Sequence, residues 1–212
     1  MITHTELSQF IATKLCHDLA GTLGAISNSV EFIDSPNQEM KTMALDLVKS
    51  SSAESVSRLI FFRQTYGIAK GSGEANLDEL KKIASDYLKN TKSKITFPEK
   101  YFHVPGVYVS TNIGKLLLCL IQHSYNNLIH GGEISVSIKK EAKTSLILIT
   151  ALGTSPKIEE EKIDIIQGNY KTYEPNAQNC LAYFASMFAK DHNASIKIDT
   201  SQKNQVDYII SF

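Results

Sequence analysis

Apolar residues recur at helical spacing through the first third of the chain and then change rhythm. At about 100° per residue, Ile11, Leu15, Leu19, Leu23, Ile26, Val30 and Ile33 share one face of a helix over about residues 5–33. Asp34-Ser35-Pro36-Asn37 reads as a turn, with Ser35 as N-cap and Pro36 in the first helical position of a second helix. That helix carries Met40, Met43, Leu47, Val48, Val56, Leu59 and Ile60 and ends near Gly67. Residues 1–67 therefore predict an antiparallel helical hairpin. A lone hairpin of this length cannot bury both apolar faces, so the pattern predicts a homodimer closed as a four-helix bundle.

Residues 68–75 read as a linker around Gly71-Ser72-Gly73. Its GxG neither follows a strand nor continues to the remaining phosphate-loop spacing. Residues 76–212 are mixed α and β. Helices are predicted over about 77–89, 112–129, 158–166 and 176–190, the second strongly apolar and closed by Gly131-Gly132. Strands are predicted at 94–97, 195–199 and 206–212, with a short extended piece at 107–110. Residues 134–139 and 145–150 read as an antiparallel pair. The fold class is α+β, a helical hairpin followed by an α/β sandwich with helices on one face of a mixed sheet.

Charge and composition narrow the partners. The 22 Lys and Arg balance 22 Asp and Glu, and both nucleic acids and anionic membranes normally require a basic face. No apolar run approaches the roughly 20 residues that span a bilayer. The start, MITHTELSQF, lacks signal-peptide regions. These features predict a cytoplasmic protein with neither nucleic acid nor membrane as partner. Cys16, Cys119 and Cys180 form no CxxC and no metal-ligand spacing. They read as small buried residues, with Cys16 set apart because it adjoins His17.

His17 is the residue that pattern alone does not explain. It points roughly opposite the apolar stripe, beside Thr13, Lys14, Ala20, Gly21 and Gly24, with Asn28 further along. Each glycine costs a helix interior about 1 kcal/mol relative to alanine. Two of them beside an exposed imidazole point to close approach by a partner. Ala20, Gly21, Gly24 and Asn28 are thus the candidate docking residues. Lys14, one turn earlier, is placed to reach an anionic group at His17, and Asp18 to orient the ring or accept its proton. Both also fit as ordinary surface residues.

With a turn near Ser35, the level of His17 is expected opposite Ala53, within Ser50-Ser51-Ser52-Ala53-Glu54-Ser55. Small residues there leave room for a partner or allow close packing inside the bundle. The remaining histidines, His4, His103, His123, His130 and His192, form no evident constellation. No Ser-His-Asp, paired-carboxylate or HExxH arrangement emerges.

A helical hairpin carrying His17-Asp18-Leu19 and followed by an α/β sandwich resembles the two-domain core of sensor histidine kinases. Leu23 falls at the later leucine of their phosphoacceptor motif, while Ala20-Gly21-Thr22 replaces the usual Arg-Thr-Pro. The Thr or Asn tied to phosphatase activity in that core corresponds to Gly21. The nucleotide boxes depart further. His123 stands at the magnesium-holding asparagine, Ala151 at the adenine-binding aspartate, Ser155 at a glycine, and 179–181 lacks the later glycine-rich turn.

A working histidine with an empty nucleotide pocket resembles the ChpT-type histidine phosphotransferases of alphaproteobacterial phosphorelays. Leu15-Cys16-His17-Asp18-Leu19, the segment Arg58-Leu59-Ile60-Phe61-Phe62-Arg63-Gln64-Thr65-Tyr66-Gly67 and the degenerate boxes carry the likeness. The resemblance implies a homodimer that relays phosphate without ATP. Its donor would be the receiver domain of a hybrid, CckA-like kinase, and its acceptors CtrA-like and CpdR-like response regulators. It implies no intrinsic cofactor, with magnesium brought by the receiver. Two other readings stay open: an ATP-using kinase with unorthodox boxes, and a receiver-gripping scaffold without chemistry.

Overall fold

The computed structural model describes residues 2–68 and 73–212. Gly71 and Ser72, and with them half of the expected linker, lie outside the described residues. Two long helices open the chain, α1 (His4–Val30) and α2 (Gln38–Tyr66). Thr3 caps α1 through a capping box: its hydroxyl accepts from Glu6 N at 3.1 Å, and the Glu6 carboxylate accepts from Thr3 N at 2.8 Å.

The hairpin turn differs from the expectation. Asn37, not Ser35, caps α2, because its side-chain oxygen reaches two free amides, Glu39 N at 2.9 Å and Met40 N at 3.3 Å. Ser35 Oγ accepts only from Asn37 N, at 3.2 Å, and Pro36 lies before the cap. The longer turn shifts the register of the two helices. Thr22 now meets Ser55, whose hydroxyl donates to it at 2.7 Å. The level of His17 consequently falls near Arg58 rather than Ala53.

Five strands and the longer helices follow the predicted order closely: α3 (Leu77–Leu88), β1 (Ser93–Thr96), α5 (Thr111–Asn127), β2 (Gly132–Lys140), β3 (Ser145–Gly153), α6 (Glu160–Ile166), α7 (Cys180–Asp191), β4 (Ser195–Asp199) and β5 (Gln205–Ser211). Two short elements escape periodicity: α4 (Glu99–Phe102) and a 3-10 turn at Tyr170–Thr172. The extended piece at 107–110 does not join the sheet. It pairs locally, Ala75 N donating to Val109 O at 2.8 Å and Ser110 bridging Glu74. The start of α7 is later than expected because Asn176 and Asn179 fold the preceding residues into a side-chain-bonded turn.

The sheet order is β1-β2-β3-β5-β4, with β1 and β2 parallel and every other pair antiparallel. Gly131 adopts φ +83°, and a Cβ there would sit 2.4 Å from Lys92 O, so the turn out of α5 into β2 requires glycine. Alternate residues of the sheet, including Ile134, Val136, Ile147, Ile149 and Tyr208, are buried. Helix α5 packs across β2, β3 and β5, with α3 against β1 and α7 against β4.

The hairpin base is locked into this core. Phe61 stacks on Tyr87 of α3 at 4.0 Å between ring centroids, and Tyr66 packs edge-on to Phe184 of α7 at 5.0 Å. Tyr66 Oη donates to Gln122 Oε1 of α5 at 2.6 Å. One buried apolar cluster therefore runs from Leu7, Phe61 and Phe62 into the sandwich. The base orients the upper hairpin, where the candidate chemistry lies, on a rigid mount.

Candidate functional site

His17 stands on α1 with its side chain 84% exposed. The helix seam explains this position. Leu7, Thr22 and Ser29 are the buried residues of α1 and face α2, while residues a half-turn away project outward. Lys14 lies one turn before His17 and Asp18 directly after it. Lys14 Nζ bonds Asp18 Oδ1 at 2.6 Å, and the same oxygen lies 3.5 Å from His17 Nδ1. The three predicted chemical residues therefore form one chain of contacts. Asp18 is the anchored member, its side chain only 16% exposed.

The four candidate docking residues are all exposed. Gly21 and Gly24 follow His17 along α1 with open space over their Cα atoms: an added Cβ would meet nothing within 4 Å. Asn28 borders an apolar groove at the hairpin tip with Ala25, Phe32, Met43 and Leu47. Close packing within the hairpin thus does not account for these glycines.

Sequence reasoning missed Arg58. It forks onto Glu54 Oε1 through Nε at 3.0 Å and Nη2 at 2.6 Å, while Nη1 donates to the Asp18 carbonyl at 3.0 Å. The i, i+4 spacing of Glu54 and Arg58 was a readable signal, but the misplaced register set it away from His17. The same correction settles the serine run. Ser51 is buried and Ser55 bonds Thr22, so these two serve close packing inside the hairpin rather than room for a partner.

The degenerate boxes gather at α5, β3 and the start of α7. Ala151 is fully buried in the sheet, paired with Ile134 and Val206, and offers an adenine no polar group. His123 is buried, and burial above all pushes its imidazole down to about 4, with Lys162 acting the same way and the Leu181 carbonyl opposing. It is thus neutral at physiological pH. Asn179 spends its side chain on its own loop, donating to Glu161 and to Glu174 O and accepting from Asn176 N. Cys119 and Cys180 are buried, with desolvation raising their thiols to about 12 and about 11, whereas Cys16 is exposed.

An exposed histidine on a helical hairpin, mounted on a five-stranded α/β sandwich, defines a phosphotransfer protein of two-component signalling. The chain belongs to the histidine phosphotransferase family: a family model described as the histidine phosphotransferase C-terminal domain matches residues 77–204. The protein phosphotransferase ChpT of Brucella abortus (strain 2308) is 23% identical over 202 residues, 95% of this chain and 93% of that protein. A solved bacterial phosphotransferase superposes over 99% of this chain and 98% of its own, with a TM-score of 0.83 at 20% identity, and shows the same fold. The catalytic domain of the histidine kinase ThkA aligns over 67% of this chain and 95% of its own, at 17% identity and a TM-score of 0.49. No helix among the described residues is long and apolar enough to cross a membrane.

Proposed function

We propose that this protein relays a phosphoryl group between the aspartates of cytoplasmic receiver domains through His17, without ATP. The observation that carries the reading is the exposed His17 ring held beside the Lys14–Asp18 pair, with open helix surface at Gly21 and Gly24. Residues 1–67 form the dimerising phosphotransfer unit and 76–212 the degenerate sandwich.

The contact of Nδ1 with Asp18 leaves Nε2 as the outward nitrogen. In the neutral tautomer with Nδ1 protonated, the Nε2 lone pair attacks phosphorus of the receiver's aspartyl phosphate. An N–P bond forms, the P–O bond to the aspartate breaks, and the carboxylate leaves with its electron pair. The ring becomes cationic and keeps its Nδ1 proton, which Asp18 stabilises. Transfer onward reverses these steps. Lys14 offsets charge on the transferring oxygens, and positioning supplies most of the remaining acceleration. Magnesium arrives with the receiver, and this chain supplies no cofactor of its own.

The resemblance of the sequence to ChpT-type proteins supports a CckA-like donor receiver and CtrA-like or CpdR-like acceptors. The test is transfer of labelled phosphate from a phosphorylated receiver. Acid-labile label on the wild type and none on His17→Ala is the expected result, with ATP alone labelling neither. Label on ATP alone supports the kinase reading instead. Receiver binding with no label on the wild type leaves only a scaffold.

A further inference from the structure

Below Lys14, the hairpin and the sandwich enclose a cavity of about 270 Å³. Its walls carry Lys14 from α1, Lys157 and Glu159 from the connection between β3 and α6, and Lys162 from α6. His123 of α5 forms part of the lining. Three lysines thus face one carboxylate across a small hollow. Lys14 and Lys162 are held by Asp18 and Glu159, at 2.6 and 2.9 Å. Lys157 has no ion-pair partner among the described residues.

A second, independent observation points to an occupant. His123 is 95% buried by its 5% exposure, and its Nε2 has no hydrogen-bond partner. An unpartnered buried polar atom is unfavourable, and Lys157 adds a positive charge beside the two ion pairs. The hollow lies below the roughly 300–1,000 Å³ of drug-sized ligand sites, which favours a compact ligand. A phosphate group carries acceptor oxygens for the lysines. When protonated on one oxygen it also offers a donor, so it can serve a neutral ring nitrogen in either tautomer.

We propose that this cavity binds a phosphate-type oxyanion, as inorganic phosphate or as the phosphate end of a small monoester. Lys157, Lys162 and Lys14 hold the charge, and His123 supplies the buried polar contact. Lys14 is shared with the His17 site, so an anion that draws Lys14 Nζ away releases Asp18 from its ion pair. The bound anion thereby changes the surroundings of His17. The coupling, but not the binding, rests on the reading of His17 as phosphoacceptor.

The test titrates the full chain with inorganic phosphate and, separately, with phenyl phosphate, following calorimetric heat and the imidazole NMR signals. The expected result is one saturable site per chain with a Kd of roughly 1 mM or tighter, for at least one of the two compounds. Saturation by phosphate identifies the free anion as sufficient, and saturation by phenyl phosphate alone identifies a monoester. Lys157→Gln should weaken binding about tenfold, as expected for losing one charged contact, while leaving phosphoryl transfer without added anion unchanged. His17→Ala should bind as wild type does, which separates this site from the relay. The His17 ring signals should shift on saturation in the wild type. No saturable binding, or wild-type affinity in both Lys157→Gln and Lys162→Gln, overturns the site. Saturation with unmoved His17 signals overturns the coupling.

Discussion

Arg58 Nη1 donates to the main-chain carbonyl of Asp18 at 3.0 Å, tying α2 to the residue beside His17. The guanidinium is itself fixed by its fork onto Glu54, and its side chain is 23% exposed. The turn of α1 that carries His17 is thus pinned from the facing helix.

Arg58→Ala should lower unfolding free energy by about 1–3 kcal/mol, the range for losing charge-assisted hydrogen bonds in a partly shielded site. Arg58→Lys keeps charge but loses the fork. It should retain most of the stability and still slow phosphoryl transfer, because one ammonium cannot hold Glu54 and the Asp18 carbonyl in the same geometry. Urea unfolding and single-turnover transfer check the two effects separately. Unchanged transfer in both variants would mean that the pin is purely structural.

The contrast between His17 and Arg58 shows how far the sequence alone reached. His17 was legible because it breaks its own helix pattern: an imidazole and two glycines off the apolar stripe are visible from one-dimensional spacing. The helix and strand order was legible for the same reason, since each element repeats its period over several turns or pairs. Arg58 was not, because its partner lies on another helix and the pairing depends on turn length. Placing the cap at Ser35 rather than Asn37 moved the facing position by several residues. The burial of Ser51 and the cavity at Lys14, His123, Lys157 and Lys162 were hidden similarly, since four separate elements build that cavity. The short α4 was missed because four residues carry no period, although Phe102 anchors it against Phe97 at 4.8 Å between ring centroids.

His123 should make the fold acid-sensitive. Burial depresses its folded value to about 4, while an unfolded histidine titrates near about 6.5. Between those values the unfolded chain binds a proton that the folded chain refuses, so stability falls as pH falls. Above the upper value neither state is protonated at His123, and below the lower one the loss levels off. The loss across the window is on the order of 3 kcal/mol. His123→Leu should flatten that part of the stability profile, measured by urea unfolding from pH 7 to pH 4. An equal slope in wild type and variant would assign the acid sensitivity elsewhere.

The face that one hairpin leaves open predicts dimerisation. Leu23, Val30, Val56 and Leu59 are 54%, 52%, 54% and 58% exposed on α1 and α2. Covering the half of each side chain still exposed contributes on the order of 1 kcal/mol, which favours association into the proposed four-helix bundle. Light scattering at micromolar concentration should report twice the chain mass. Leu59→Lys should give a folded monomer, since that position is exposed in the single chain. A monomeric wild type would require another cover for this face.

Gly24→Leu separates a docking surface from a packing surface. Gly24 is exposed within α1, and nothing lies within 4 Å of the Cβ that a substitution would add. Leucine forms helix better than glycine by roughly 0.5–1 kcal/mol, so thermal unfolding should stay level or move upward. The new side chain, however, would project from the surface one to two turns beyond His17, where a receiver's apolar helix would seat closely. Phosphoryl transfer from a receiver should therefore slow at least tenfold through weaker docking, with KM rising more than kcat falls. A small phosphodonor that needs no docking should label His17 in the variant as fast as in the wild type. Loss of both rates together would place the defect in the His17 turn itself, and full transfer from the receiver would place docking on another face.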